Sequence, residues 1–271
     1  MQSQAVGLRA KGHMISLVAT MGALHEGHIS LIRQAREKAD RVIVSIFVNP
    51  AQFAPSEDFN SYPRIFEEDC AICEREGVDI VFAPSEADVY PKGYSSYVEE
   101  TDLSQILCGK SRPDHFKGVC TIIVKLFNIC RPDIAFFGEK DAQQAAIIRK
   151  LTTDLNFNVD IETVPTVRDD DGLACSSRNS RLTKSLREDA LKIYKALCKG
   201  KEMADQGISQ SDRIEAEIMH ELKSSRRLRI IYVTIVDKQT LAPVKTIEPG
   251  NCMIAVAVWV DEVRLIDNIN L

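Results

Sequence analysis

The chain has 271 residues, 45% of them hydrophobic and 27% charged, with a formal net charge of −5. That length accommodates one large domain and a smaller one, and the balance is that of a globular protein rather than a disordered or membrane-embedded one. The acidic surplus disfavours nucleic acid as a partner, and the want of a signal-peptide core or a spanning run of about 18 apolar residues predicts a cytoplasmic protein with no membrane partner.

Residues 14–19 are a short apolar, β-rich run followed by the turn Thr20-Met21-Gly22-Ala23-Leu24-His25-Glu26-Gly27-His28. Ile29, Leu31, Ile32, Ala35 and Ala39 then recur at helical spacing, with Arg33, Arg36, Glu37 and Lys38 on the other face. The continuous apolar stretch 42–48 predicts a strand buried on both faces of a parallel sheet, which completes one βαβ unit. Alternation continues with helices at 63–76, 119–130 and 141–155 and strands at 79–83, 133–137 and 159–164. This pattern predicts an α/β fold: a Rossmann-like, doubly wound parallel sheet with helices on both faces. Residues 84–118 are rich in Pro, Gly, Ser and charge without a clean period, which predicts loops and a small hairpin near 94–98 that could cover a site.

Past the polar turn at 169–172, amphipathic helices at 185–204 and 212–223 precede strands at 230–236 and 252–259, read as part of a small mixed sheet. The expected division is 1–175 as a Rossmann-like ligand-binding domain and 176–271 as a smaller α+β C-terminal lid. Of the eight cysteines, Cys120, Cys130, Cys198 and Cys252 sit in apolar patterns and read as reduced, buried thiols. Cys70 and Cys73 form a lone CxxC with no second pair or nearby His, so no metal site is expected there. The basic cluster 223–229 reads as a solvated helix end.

Open parallel sheets bind ligands beyond the carboxyl ends of their strands, and polar turns stand at four such places. His25 and His28 flank Gly27 at a helix start, where free N–H groups and the helix dipole favour an anion; two capping histidines would look the same. Asn49 and Gln52 lie directly beyond an apolar strand and could orient a small polar substrate, although Asn49-Pro50 is also a plain turn signal. In Gly138-Glu139-Lys140-Asp141, Lys140 can meet a phosphate and Asp141 can cap a helix or contact a sugar hydroxyl. Of Gln143 and Gln144, only one need face the pocket. Cys175-Ser176-Ser177-Arg178-Asn179 combines hydroxyls with a guanidinium, a mobile polyphosphate clamp or else a hydrophilic linker. Together the turns favour a nucleotide-dependent enzyme.

In order and spacing these segments, with Val44–Phe53 and Phe137–Gln144 in full, resemble the pantothenate synthetase family over nearly the whole chain. The HxGH turn alone is shared with other nucleotidyltransferase-like Rossmann folds. The resemblance implies a homodimer using Mg²⁺ and ATP to condense pantoate with β-alanine through a pantoyl adenylate, with release of AMP and pyrophosphate. It implies ATP contacts from Met21, Gly22, Ala23, Leu24, His25, Glu26, Gly27, His28, Gly138, Glu139, Lys140, Asp141, Val167, Cys175, Ser176, Ser177 and Arg178. His25, His28, Lys140 and Arg178 are the implied catalytic groups, and Gln52, Gln144 and Asn49 the implied pantoate contacts. Ala19, Ala142 and Cys175 depart from the family's usual proline, aromatic and larger apolar residue, which bears on pocket rigidity and affinity more than on reaction type. The alternative is another HxGH-type adenylyltransferase acting on a small carboxylic acid, or a class I aminoacyl-tRNA synthetase-like enzyme, for which no RNA-contacting surface is evident. A catalytically silent nucleotide-binding protein is disfavoured by the intact His28, Lys140 and Arg178.

Overall fold

A computed structural model describes residues 1–55 and 57–271. Strands β1 (Ile15–Thr20), β2 (Arg41–Ile46), β3 (Ile80–Phe82), β4 (Ile134–Gly138) and β5 (Asp160–Val164) form a parallel sheet in the order β3-β2-β1-β4-β5. Side chains alternate across a strand, and here both sets are apolar: Leu17, Ile43, Ala135 and Phe137 enter one core, Val18, Val42, Val44, Ile134 and Phe136 the other. Helices must therefore cover both faces. Helix α2 (Glu26–Lys38) presents Leu31, Ile32 and Ala35 to the second core, joined by Cys73 of α3 (Phe66–Arg75). Helices α1 (Gln2–Ala10), α6 (His115–Cys130) and α7 (Ala142–Asp154) cover the first. The sheet reverses its winding between β1 and β4, so the turns beyond these two strands face one another at the switch point.

Between residue 84 and the start of α6 the chain forms only the one-turn helices α4 (Glu86–Val89) and α5 (Cys108–Ser111) and a short 3₁₀ turn, and the expected hairpin near 94–98 is absent. Tyr90, Tyr94 and Tyr97 instead stack edge-on in series, and Lys125 of α6 lies 4.4 Å from the Tyr94 ring centre. Val98 donates its N–H to Thr121 Oγ1, so α6 takes the place of a partner strand.

The C-terminal lobe packs α8 (Lys184–Asp205) and α9 (Ser211–Leu222) on strands β6 (Leu228–Asp237), β7 (Cys252–Val260) and β8 (Val263–Asn270). This sheet, expected to be mixed, is antiparallel throughout; Asp261 and Glu262 alone join β7 to β8, a link too short for a parallel crossover. Leu173 already belongs to the core of this C-terminal lobe, ahead of residue 175. Neither α1 nor β8 was expected from the sequence: Ala5 is the one buried residue of α1, and polar Arg264, Asp267 and Asn268 break up the apolar signal of β8. The lobes are tied by Arg168, which grips Asp267 through two bonds of 2.7 and 2.9 Å.

Candidate active site

The HxGH turn owes its shape to Asp69 of α3. This buried carboxylate accepts the N–H groups of Ala23 and Leu24 at 2.9 and 2.7 Å. The backbone there turns left-handed, with φ of 79° at Gly22 and 50° at Ala23. A Cβ on Gly22 would stand 2.9 Å from Asp69 Oδ2, so glycine is needed for the close approach as well as for the angle. Ala23 and Leu24, expected among the ATP contacts, are buried and their N–H groups are committed to Asp69.

His25 caps α2: its Nδ1 accepts the Gly27 N–H at 3.2 Å, and His28 Nδ1 accepts the His25 N–H at 3.3 Å. With both Nδ1 atoms accepting, each ring carries its proton on Nε2. Burial foremost, then the Lys140 charge, lowers the His25 pKa to about 4. Burial, followed by His25 and Lys140, holds His28 well below its ordinary value. In the unliganded protein the pair is thus neutral and donates through Nε2, rather than acting as a fixed positive charge.

Asn49 stands behind Gln52. Its Nδ2 donates to Gln52 Oε1 at 2.8 Å and to the Gly118 carbonyl at 3.0 Å, while its Oδ1 accepts from Tyr90 Oη at 2.7 Å. Asn49, expected to contact the substrate, is fully buried with both ends of its amide bonded, so it orients Gln52 and presents no free polar group to the cavity. The Gln52 Nε2 is left as the free end of that amide. The 3₁₀ turn Pro50–Gln52 rests directly on α6, where a Cβ on Gly118 would lie 2.1 Å from the Ala51 carbonyl oxygen. Beneath it His115 donates Nδ1–H to the Gln52 carbonyl at 2.8 Å and accepts from Arg112 at 3.0 Å. Burial and then Arg112 press the His115 pKa down to about 3.

Beyond β4, Gln143 is structural: its amide holds the carbonyls of Leu103 and Ile106 and the N–H of Cys108. Gln144 is the one that faces the cavity. The Glu139 and Lys140 carbonyls are both held by Asn268 Nδ2 of β8, at 2.9 and 3.0 Å. The small C-terminal sheet thereby fixes the backbone that carries Lys140.

On the fourth segment, Arg178 forms a two-point pair with Asp58 at 3.0 and 3.1 Å, and Arg181 reaches the same carboxylate at 2.6 Å. Burial opposes ionisation of Asp58, but the Arg178 hydrogen bond and charge outweigh it and lower its pKa. Ser177 shares a 3.0 Å hydrogen bond with Tyr62. The Cys175 thiol donates to Asp169 at 3.2 Å and is pushed up to about 11, by burial first.

Two cavities meet at these groups. One, of about 170 Å³, runs from Gln52 along Val119, Ile122 and Leu126 of α6 to Ser176, Ser177 and Arg178. The other, of about 130 Å³, is bounded by Gly27, Gly138, residues 164–167 and Cys175. His25, His28, Lys140, Asp141 and Gln144 are common to both. Met21 lines the first and Val167 the second, whereas Gly22, Ala23, Leu24, Glu26, Glu139 and Asn49 are on neither wall. Asp69, Asp58, Arg112, His115 and Asn268 support the site without having been singled out from the sequence. A wider groove of about 460 Å³ separates the lobes, and Arg229, expected in a solvated helix end, lines it and stacks on Trp259.

The family profile described as pantoate-beta-alanine ligase matches residues 1–270. A pantothenate synthetase from Thermosipho melanesiensis is 50% identical over 259 residues, spanning 96% of this chain and 92% of that protein. The solved pantothenate synthetase of Thermus thermophilus superposes with a TM-score of 0.93 at 40% identity, covering 98% of this chain and 97% of the other. A pantoate-beta-alanine ligase from Francisella tularensis, solved in complex with beta-gamma ATP and beta-alanine, gives a TM-score of 0.80 at 37% identity over 99% of this chain and 95% of its own.

Proposed function

The chain belongs to the pantoate-beta-alanine ligase family, and from that premise we propose that its two adjoining cavities divide the substrates, ATP on the side of Gly138, Val167 and Cys175 and pantoate on the side of Gln52 and Gln144. The reaction is the ATP-dependent condensation of pantoate with β-alanine through a pantoyl adenylate. A pantoate carboxylate oxygen attacks the α-phosphorus; the new O–P bond forms as the bond to pyrophosphate breaks. The uncharged amine of β-alanine then attacks the acyl carbon, the C–N bond forms, AMP leaves with the C–O electron pair, and one proton is released.

No protein nucleophile is needed, because the carboxylate is already ionised near neutrality. The protein's task is alignment and charge compensation. In this reading the Nε2–H groups of His25 and His28 and the ammonium of Lys140 meet the phosphates. Ser176, Ser177 and Arg178 close over them, with Arg178 exchanging its Asp58 partner for the polyphosphate. Asp141 and Gly138 address the ribose side. Gln52, oriented by Asn49, and Gln144 hold the polar groups of pantoate, while Val119, Ile122 and Leu126 offer an apolar wall to its methyl groups. The carrying observation is that Gln144 meets His28 and Lys140 where the cavities join.

A Mg²⁺ that keeps water and phosphate ligands needs only one or two carboxylates, and the Asp141 side chain, 45% exposed beside Lys140, fits that need. Bound with ATP, it would neutralise charge on the departing pyrophosphate. The resemblance also supports a cytoplasmic homodimer in which residues 176–271 act as a lid over 1–175; sedimentation of the purified protein measures the oligomer.

Gln52→Leu and Gln144→Leu test the division. Each keeps approximate bulk but leaves substrate groups unpaired, at about 1 to 3 kcal/mol per buried group. Pantoate-dependent pyrophosphate release is expected to fall sharply while calorimetric ATP affinity changes little. Normal pantoate dependence in both variants, or a parallel collapse of ATP affinity, would contradict the division.

A further inference from the structure

The groove between the lobes is lined by cations, nearly all of which are already engaged. Arg112 is paired with Glu57, Arg178 and Arg181 share Asp58, Lys140 lies 3.8 Å from Asp141, and Arg229 stacks on Trp259. Arg264 of β8 is different. Among the described residues no carboxylate pairs with it, and its one side-chain hydrogen bond is a 3.3 Å contact from Nη2 to Ser111 Oγ. Its Nε is sealed from solvent with no acceptor at all. A guanidinium partly stripped of water without compensation is unfavourable until an anion reaches it.

We propose that Arg264 anchors the carboxylate of the amine substrate, β-alanine, in this groove; the assignment rests on the reaction given above. Arg264 borders both the groove and a smaller cavity of about 60 Å³, and both of these reach Lys140 and Asp141. The smaller cavity also reaches Gln144, where the activated acyl group would lie. A short amino acid held by its carboxylate at Arg264 therefore directs its amine toward that acyl carbon. Phe116, Met253 and Ile266 give the smaller cavity apolar walls, which suit the two methylenes between carboxylate and amine. His25 and His28 line neither space, so the anchor is separate from the imidazoles assigned to phosphate. Arg112 is also close, but its charge is already met by Glu57 through bonds of 2.5 and 2.7 Å.

The test separates the two half-reactions in Arg264→Gln and Arg264→Lys. Pantoate-dependent ATP–pyrophosphate exchange is measured without β-alanine, and amide formation is measured against β-alanine and against propylamine, which lacks the carboxylate. In Arg264→Gln the half-saturating β-alanine concentration is expected to rise about tenfold to a hundredfold, the loss of one charge-assisted pair. Preference for β-alanine over propylamine falls by the same factor, while exchange stays within about twofold. Arg264→Lys, which keeps the charge and the stem but not the fork, falls between and serves alone if the glutamine variant fails to fold. Unchanged preference would overturn the anchor, and exchange falling in step with amide formation would reassign Arg264 to the polyphosphate. An unsubstituted protein without pantoate-dependent exchange would instead remove the reaction on which the anchor rests.

Discussion

Replacing Asp69 by asparagine alters little in volume but acts directly on the support of the HxGH turn. Asp69 is 1% exposed, and its oxygens accept one N–H each from Ala23 and Leu24. In asparagine one oxygen becomes an NH₂ group that faces an N–H donor, so one charge-assisted bond is lost, at about 1.5 to 3 kcal/mol. Alanine removes both bonds and leaves a small void, for about 3 to 6 kcal/mol or somewhat more. At roughly 2 to 4 °C per kcal/mol for a chain of this size, Asp69→Asn should melt about 3 to 12 °C lower and Asp69→Ala about twice as far. Function should move as well. Ala23, at φ 50°, relaxes toward ordinary backbone once unpinned, and the segment leading into His25 moves with it. A shift of under an ångström in phosphate donors is expected to raise half-saturating ATP about tenfold. Thermal melts and exchange rates as a function of ATP read both effects. An asparagine variant with parental melting and parental ATP dependence would refute the reasoning; a lower melting point with parental ATP dependence would confine Asp69 to stability.

His28→Ala and Lys140→Ala should retain the fold while adenylate formation drops roughly a hundredfold to a thousandfold, and near-normal turnover at saturating substrate would cancel the role of either. The buried histidines predict acid sensitivity of the unliganded protein. With pKa values held at about 4 for His25 and about 3 for His115, the unfolded chain takes up protons first as pH falls below 6.5. Stability is complete above that pH and declines below it, toward pH 4 for His25 and pH 3 for His115, by about 1.4 kcal/mol per histidine between pH 7.5 and 5.5. Urea titrations at those two pH values measure it, and equal stabilities would contradict the assigned charge states. Since all eight thiols are unpaired, dithiothreitol should leave the melting temperature unchanged, and a marked fall would reveal a disulfide.

The sheet was legible because its strands are continuous apolar runs and its ligand-facing turns are polar residues set directly after them. Within the turns, residue types were readable but the aim of each side chain was not. Asn49 and Gln52 are equally good amides on paper, and what separates them is Tyr90, 41 positions later, which donates to the Asn49 oxygen. Asp69 was hidden in the acidic run Glu67-Glu68-Asp69; the one available hint was its i, i+4 relation to Cys73, which puts both on the buried face of α3. Arg178 was recognisable as a clamp, yet its pairing with Asp58 spans 120 positions and leaves no local period to read. β8 escaped notice for the reason that gives it importance: the polar residues that interrupt its alternation are those that reach the other lobe.

The bond from Asn268 to the Lys140 carbonyl spans 128 positions, and this gives the site a history as well as a geometry. On the ribosome the chain emerges in order, and at about 5 to 20 residues per second Asn268 is added roughly 6 to 26 seconds after Lys140. During that interval the parallel sheet and its histidine turn can form, but the backbone bearing Lys140 has no tether. A nascent chain is therefore expected to gain tight ATP binding only as β8 docks, which makes the nucleotide a reporter of that docking.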